Sequence, residues 1–144
     1  MKNLTIFIDT GMFVAFFNKD DINHKRAKVI VKEISEGKYG MAFTSEYIID
    51  ETLTVILSRT KRFPDAVKAG AFILGEIDDI PNFINLIIVN NELFNSTWQS
   101  FKDNKYDKLM SFTDYSSITI NKKYKIDVIA SFDSHFDGIL TRIF

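Results

Sequence analysis

The sequence predicts a three-layer α/β/α fold with a central, mostly parallel sheet of four to five strands, built as one domain over residues 1–144. Two observations carry this. Short apolar, β-rich runs recur along the chain, too continuous for strands with one solvated face. Segments of helical period separate them, as βαβ units require. No repeat, low-complexity tract or Pro/Gly-rich linker divides the chain.

The elements follow in order. "LTIFI" (4–8) reads as a first strand, and "GMFVAFF" (11–17) as a short returning helix. Asn23 is a candidate cap for a helix with Ala27, Ile30, Val31 and Ile34 on one face and Gly37 at its end. "GMAFT" (40–44) is a second strand, and Thr44 or Ser45 can cap "EYIIDETLTVILSRT" (46–60). Pro64, tolerated in a first helical turn, opens another helix. "NLIIV" (85–89) is a third strand, residues 90–104 a further helix, and "DVIAS" (127–131) a fourth strand. "ILTRIF" at the C-terminus adds a fifth strand or packs as a tail.

Composition narrows the function. Apolar residues make up 46% of the chain and fourteen are Phe, enough for a packed interior. Eighteen Lys and Arg against nineteen Asp and Glu exclude holding nucleic acid by net charge, though not by a local basic patch. The absence of Cys removes thiol nucleophiles, disulfides and thiolate zinc sites, and fits a reducing compartment. No apolar run approaches a membrane span. Asp9 interrupts the apolar N-terminus and no small-residue cleavage site follows, so a soluble cytoplasmic protein is expected.

Four acids fall where α/β sheets bind ligands, beyond the carboxyl ends of the strands. Asp9 follows the first strand and Asp133 the fourth. Glu51 lies about two turns into the helix after the second strand, and Asp114 in the first turn of the helix before the fourth. Each has an ordinary role. Asp9 and Asp133 can cap turns, and Glu51 can sit on a solvated face beside Asp50. Ser111 and Asp114 have capping-box spacing. Taken together, four carboxylates at one sheet edge repel, and a hard divalent cation such as Mg²⁺ or Mn²⁺ relieves that directly. Such a centre orients a phosphodiester and acidifies water. Thr10, Thr113 and Ser131 are hydroxyls placed to hold water or orient the carboxylates.

"IFIDTGMF", "SEYIIDETLTVILSR", "SFTDYSSI" and "IASFDSHF" resemble, in order and separation, the four acidic motifs of the PIN-domain nucleases. The resemblance covers essentially the whole chain and extends to VapC-like toxins. It matches Asp9, Glu51, Asp114 and Asp133 to the family's acids, with Ser131 standing where Thr is commoner and Asp50 adjoining Glu51. His24, in "NHKRA", matches a helix start and reads as structural or surface; Asp137 is an accessory acid or a surface turn.

The resemblance implies a metal-dependent endoribonuclease of single-stranded RNA. The four acids would hold one or two Mg²⁺ or Mn²⁺ ions, and a metal-activated water would attack phosphorus in line. It also implies a homodimer and a small antitoxin partner, with the apolar stripes at 65–76 and 91–101 as candidate faces. Arg59, Lys61 and Arg62 are candidate RNA contacts, as are Lys19, Lys25, Arg26 and the basic "NKKYK" (121–125). Three alternatives stay open: an RNA-processing or quality-control nuclease without an antitoxin, an inactive binding module of the same fold, and a phosphoryl-accepting α/β domain. The last is disfavoured because the third strand ends in Asn90 and Asn91, and a haloacid-dehalogenase-like phosphatase, weighed beside it, because "IDTGM" has only Asp9 of the Asp-x-Asp it needs.

Overall fold

The computed structural model describes residues 3–144; Met1 and Lys2, which begin the apolar N-terminal stretch, lie outside the described residues. Five strands, β1 (Thr5–Ile8), β2 (Met41–Ser45), β3 (Ile84–Ile87), β4 (Val128–Ala130) and β5 (Arg142–Ile143), form one sheet in the order β3-β2-β1-β4-β5. Every pairing is parallel. Six helices flank the sheet: α1 (Thr10–Phe17), α2 (His24–Ser35), α3 (Glu46–Thr60), α4 (Phe63–Leu74), α5 (Asn91–Lys102) and α6 (Phe112–Lys123). The expected three-layer architecture is observed.

β1 is central, and Ile6, Phe7 and Ile8 are fully buried, as its unbroken apolar run demands. From β1 the chain steps outward to β2 and β3, then returns across β1 to β4 and β5. The direction of winding therefore reverses between β1 and β4, and the crevice for ligands opens above these two strands. Right-handed crossovers of opposite direction put their helices on opposite faces of the sheet. α6 runs down to the start of β4, so its N-terminus returns to the same carboxyl edge where β1, β2 and β4 end.

The caps match the sequence closely, with informative shifts. Ser45, rather than Thr44, caps α3 by accepting from Ile48 N at 3.3 Å; the Thr44 hydroxyl instead donates to the Ile8 carbonyl at 3.0 Å, tying β2 to β1. Asn23 occupies the cap position of α2 but its side chain makes no capping bond. The preceding residues are organised by Asp21, whose Oδ1 accepts from Asn23 N at 2.8 Å. β3 ends at Ile87, short of the expected 89, because Glu46 Oε1 takes the Val89 N–H at 2.7 Å. The C-terminal alternative resolves as a strand, with Ile129 pairing with Arg142 and Ala130 with Ile143.

Gly40, at the entrance to β2, holds φ +72°, and a Cβ there would collide with the Leu4 carbonyl. Gly40→Ala adds left-handed strain to overpacking against rigid backbone, together roughly 2–4 kcal/mol. A chemical-denaturation midpoint equal to that of the wild type would refute this account of the turn.

Candidate active site

The four predicted acids come from four different elements. Asp9 occupies the cap position of α1 and is 5% exposed. Its backbone N–H donates to the Ala130 carbonyl at 3.1 Å, which fixes it beside the end of β4. Its carboxylate Oδ2 accepts from the Ser131 hydroxyl at 2.7 Å, and Ser131 Oγ in turn accepts from Asp133 N at 3.0 Å. Ser131 thus links two of the acids. Thr10 Oγ1 is buried without a protein partner beside them, and no carboxylate contact is seen for Thr113, whose carbonyl accepts from Ser116.

Asp114 is both a cap and a member of the group. Ser111 Oγ accepts from Asp114 N at 3.0 Å, and Asp114 Oδ2 accepts from Ser111 N at 3.2 Å, a complete capping box. Asp133 also keeps its ordinary role: Oδ1 accepts from His135 N at 2.8 Å, and His135 Nδ1 lies 3.1 Å away. On α3 Asp50 is exposed, whereas Glu51 is half-buried and its charge reaches both Asp9 and Asp114. Glu51 is therefore the acid of that pair that joins the group.

Burial raises two of the acids, and neighbouring carboxylates add to the rise. Burial pushes the Asp9 carboxyl from the ordinary 3.8 up to about 7. The charges of Asp114 and Glu51 add to the rise, while bonds from Ser131 and the Thr10 backbone oppose it. Asp114 is raised too, first by burial and then by Asp133 and Glu51, against its bonds to Ser111. Asp9 thus feels Asp114 and Glu51, and Asp114 feels Asp133 and Glu51. Among the described residues, no three acid or imidazole side chains stand close enough together to hold a metal ion as they are.

This chain matches the PIN domain family model over residues 6–139. It belongs to the PIN-domain family. This PIN domain is 32% identical over 133 residues to a protein named VapC ribonuclease from Archaeoglobus fulgidus, covering 92% of this chain and 80% of the relative. Its fold superposes on the crystal structure of Mycobacterium tuberculosis VapC20, described as a Sarcin-Ricin loop cleaving toxin. The TM-score there is 0.80 at 25% identity, covering 94% of this chain and 96% of that one. VapBC2 from Rickettsia felis, solved on a fragment of its promoter DNA, shares the fold with a TM-score of 0.69, at 10% identity and covering 97% and 98% of the two chains.

The basic candidates separate by position. Arg59, Arg62 and Lys19 line one cleft of about 530 Å³, and Arg59 also lines a second of about 290 Å³ with Thr10, Gly11 and Asp133. Arg59 Nη1 is 3.4 Å from Asp21 Oδ2, and Arg62 Nε is 3.3 Å from Asp65 Oδ2. Lys61 is the left-handed residue that ends α3 and is exposed. Arg26 reaches the Phe144 carbonyl at 3.1 Å, a tie to the C-terminus, and Lys25 is exposed on the same helix. The basic run at 121–125 sits at the end of α6 opposite Asp114, where Lys123 pairs with Glu92 at 2.8 Å. That distance from the acids removes it from the site.

His24 Nδ1 contacts the Ala15 carbonyl at 2.7 Å, a structural pin between α2 and α1. Asp137 is held in a two-point bond by Arg142, at 2.6 and 3.1 Å, which lowers its carboxyl below the ordinary range and makes it a turn residue. Arg142 also donates to the Ser131 carbonyl at 3.1 Å and so braces the segment that carries Asp133. Sequence reading missed the bracing by Arg142, the Asp21–Arg59 pair and the ring contact of Tyr47 with Phe112. The last two join residues far apart in the chain, while Arg142 reaches back five and eleven residues to Asp137 and Ser131, and no local motif signals any of them.

Proposed function

We propose that this PIN domain is a metal-dependent endoribonuclease that hydrolyses single-stranded RNA, acting as the toxin of a type II toxin–antitoxin pair in the cytoplasm. The carrying observation is the buried Asp9 at the point where the sheet reverses direction, with Asp114, Glu51 and Asp133 acting by their charges on it or on Asp114. Its donor set is all oxygen, which suits Mg²⁺ or Mn²⁺. Asp9, Glu51, Asp114 and Asp133 would hold one or two such ions. When bound, a divalent cation supplies charge to the scissile phosphate and acidifies water.

The residues of the chain do the rest. Ser131 fixes the rotamer of Asp9, the capping box fixes Asp114, and the 3.1 Å and 2.8 Å contacts of His135 orient Asp133. Thr10 Oγ1, buried and without a protein partner, is placed to hold a water beside Asp9. Glu51 stands half-buried on α3, with its charge reaching Asp9 and Asp114. The naming of the Archaeoglobus relative as a ribonuclease supports the substrate class.

For partners, exposed apolar side chains on α4 (Phe63, Val67, Leu74) and α5 (Phe94, Trp98, Phe101) support contacts with a second copy and an antitoxin. The testing experiment incubates purified protein with labelled single-stranded RNAs. Cleavage is expected with Mg²⁺ or Mn²⁺ and none with chelator. Cleavage by Glu51→Gln at the wild-type rate would exclude this site.

A further inference from the structure

The α3 helix carries chemistry of three kinds along one winding line. Tyr47, Glu51, Val55 and Arg59 are spaced four residues apart, so neighbours along the line lie close on the helix surface, and the line spans about 18 Å. Glu51 belongs to the acid group. Val55 and Arg59 line the 290 Å³ cleft that Thr10 and Asp133 also line, so this end of α3 opens directly onto the acids. At the other end, the Tyr47 ring meets the Phe112 ring at 6.3 Å, and Phe112 lies two residues before Asp114. Phe112 is buttressed from behind by Phe94 at 5.7 Å and Phe101 at 5.6 Å, which holds its ring in place.

The cationic end is equally prepared. Asp21 is locked by its bond from Asn23 N and holds the Arg59 guanidinium at 3.4 Å, on a side chain that stays 56% exposed. Lys19 and Arg62 line the larger cleft beyond Arg59. An acidic centre flanked by rings on one side and a guanidinium on the other has the order of groups that unpaired nucleic acid presents. Bases stack on aromatic faces, and phosphates pair with Arg.

We propose that a single-stranded RNA lies along α3 across the acid group. A base on one side of the scissile phosphate stacks on Tyr47 and Phe112, and a backbone phosphate on the opposite side is held by Arg59. α3 thereby sets the register of the cut. This deepens the ribonuclease reading and rests on it.

The test uses the whole chain with Tyr47→Leu, which keeps apolar bulk, and Arg59→Gln, which keeps a polar stem. Substrates are short RNAs carrying a single abasic site or a single methylphosphonate at successive positions around the mapped cut. Each variant should raise KM about tenfold with little change in kcat. The Tyr47→Leu penalty should vanish on one abasic substrate, and the Arg59→Gln penalty on one methylphosphonate substrate, at positions on opposite sides of the cut. Arg59→Gln should also flatten the salt dependence of binding by about one phosphate contact, whereas Tyr47→Leu should not. Fluorescence anisotropy in chelator gives the same comparison without catalysis.

Penalties that persist on every modified substrate, or that map to one side, would overturn the track while leaving the nuclease intact. A wild type that binds RNA with these dependences but never cleaves would remove the nuclease reading and keep the track. A wild type that neither binds nor cleaves would remove both.

Discussion

Asp9→Asn is expected to abolish RNA cleavage and, in the same protein, to raise its stability. The loss follows from the position of Asp9, which is the most buried of the four acids and central to the group. Asn keeps the shape and an acceptor for the Ser131 hydroxyl but removes the charge a cation needs, so a fall of more than about 100-fold in kcat/KM is expected. The gain follows from the same burial. A carboxyl whose pKa stands at about 7 instead of 3.8 is being charged at a cost of about 1.4 kcal/mol per unit, or roughly 4 kcal/mol in full at pH 8. Asn avoids that cost. In chelator at pH 8 the variant should melt several degrees above the wild type by calorimetry, at about 3 °C per kcal/mol for a chain of this size. A variant that is inactive and also less stable would show that Asp9 is not a strained carboxylate.

The second large effect is the pH dependence of the wild type itself. Asp9 and Asp114 are both raised in the folded state, so the native protein binds more protons than the unfolded chain between the two sets of values. Stability from this source is fully present below about pH 4 and is lost as pH rises through about 7. In chelator, the melting temperature should therefore fall from about pH 5 to pH 8, the direction opposite to ordinary acid denaturation. Adding millimolar Mn²⁺ or Mg²⁺ should lift it more at pH 8 than at pH 5. A cation stabilises only the ionised, folded site, by an amount set by its concentration over its dissociation constant. A melting curve flat in pH and indifferent to the ion would count against both the strained acids and their role as ligands.

These two effects are one trade seen from both sides. Gathering buried carboxylates at one sheet edge costs stability once they are ionised. The acids keep their structural roles throughout: Asp114 closes a capping box and Asp133 caps the short turn that follows β4. The bonds from Ser111 act against the rise in the Asp114 carboxyl that burial and its acidic neighbours cause.

The order of elements, the parallel sheet and the identity of the four acids are legible in the sequence because they rest on local rules. Ile6, Phe7 and Ile8 form a short, β-rich apolar run ended by Asp9, which suits a strand covered on both faces. Ser111 and Asp114, three residues apart, specify a helix start wherever the helix ends up. The four acids follow from which strand ends and helix starts carry them, and a parallel α/β sheet brings those ends to one edge.

Other features depend on groups that only the folded chain brings together. The rotation of α3 against α1 and α6 leaves Glu51 half-buried, with its charge reaching Asp9 and Asp114, and leaves Asp50 exposed. The bond from Ser131 to Asp9 joins residues 122 positions apart, and Arg59 meets Asp21 across 38. Local patterns determined the elements and named the acids because capping and burial act within a few residues. Tertiary packing decided how strained those acids are and which cations and rings flank them, because charge and stacking act through space between elements that the sequence keeps apart.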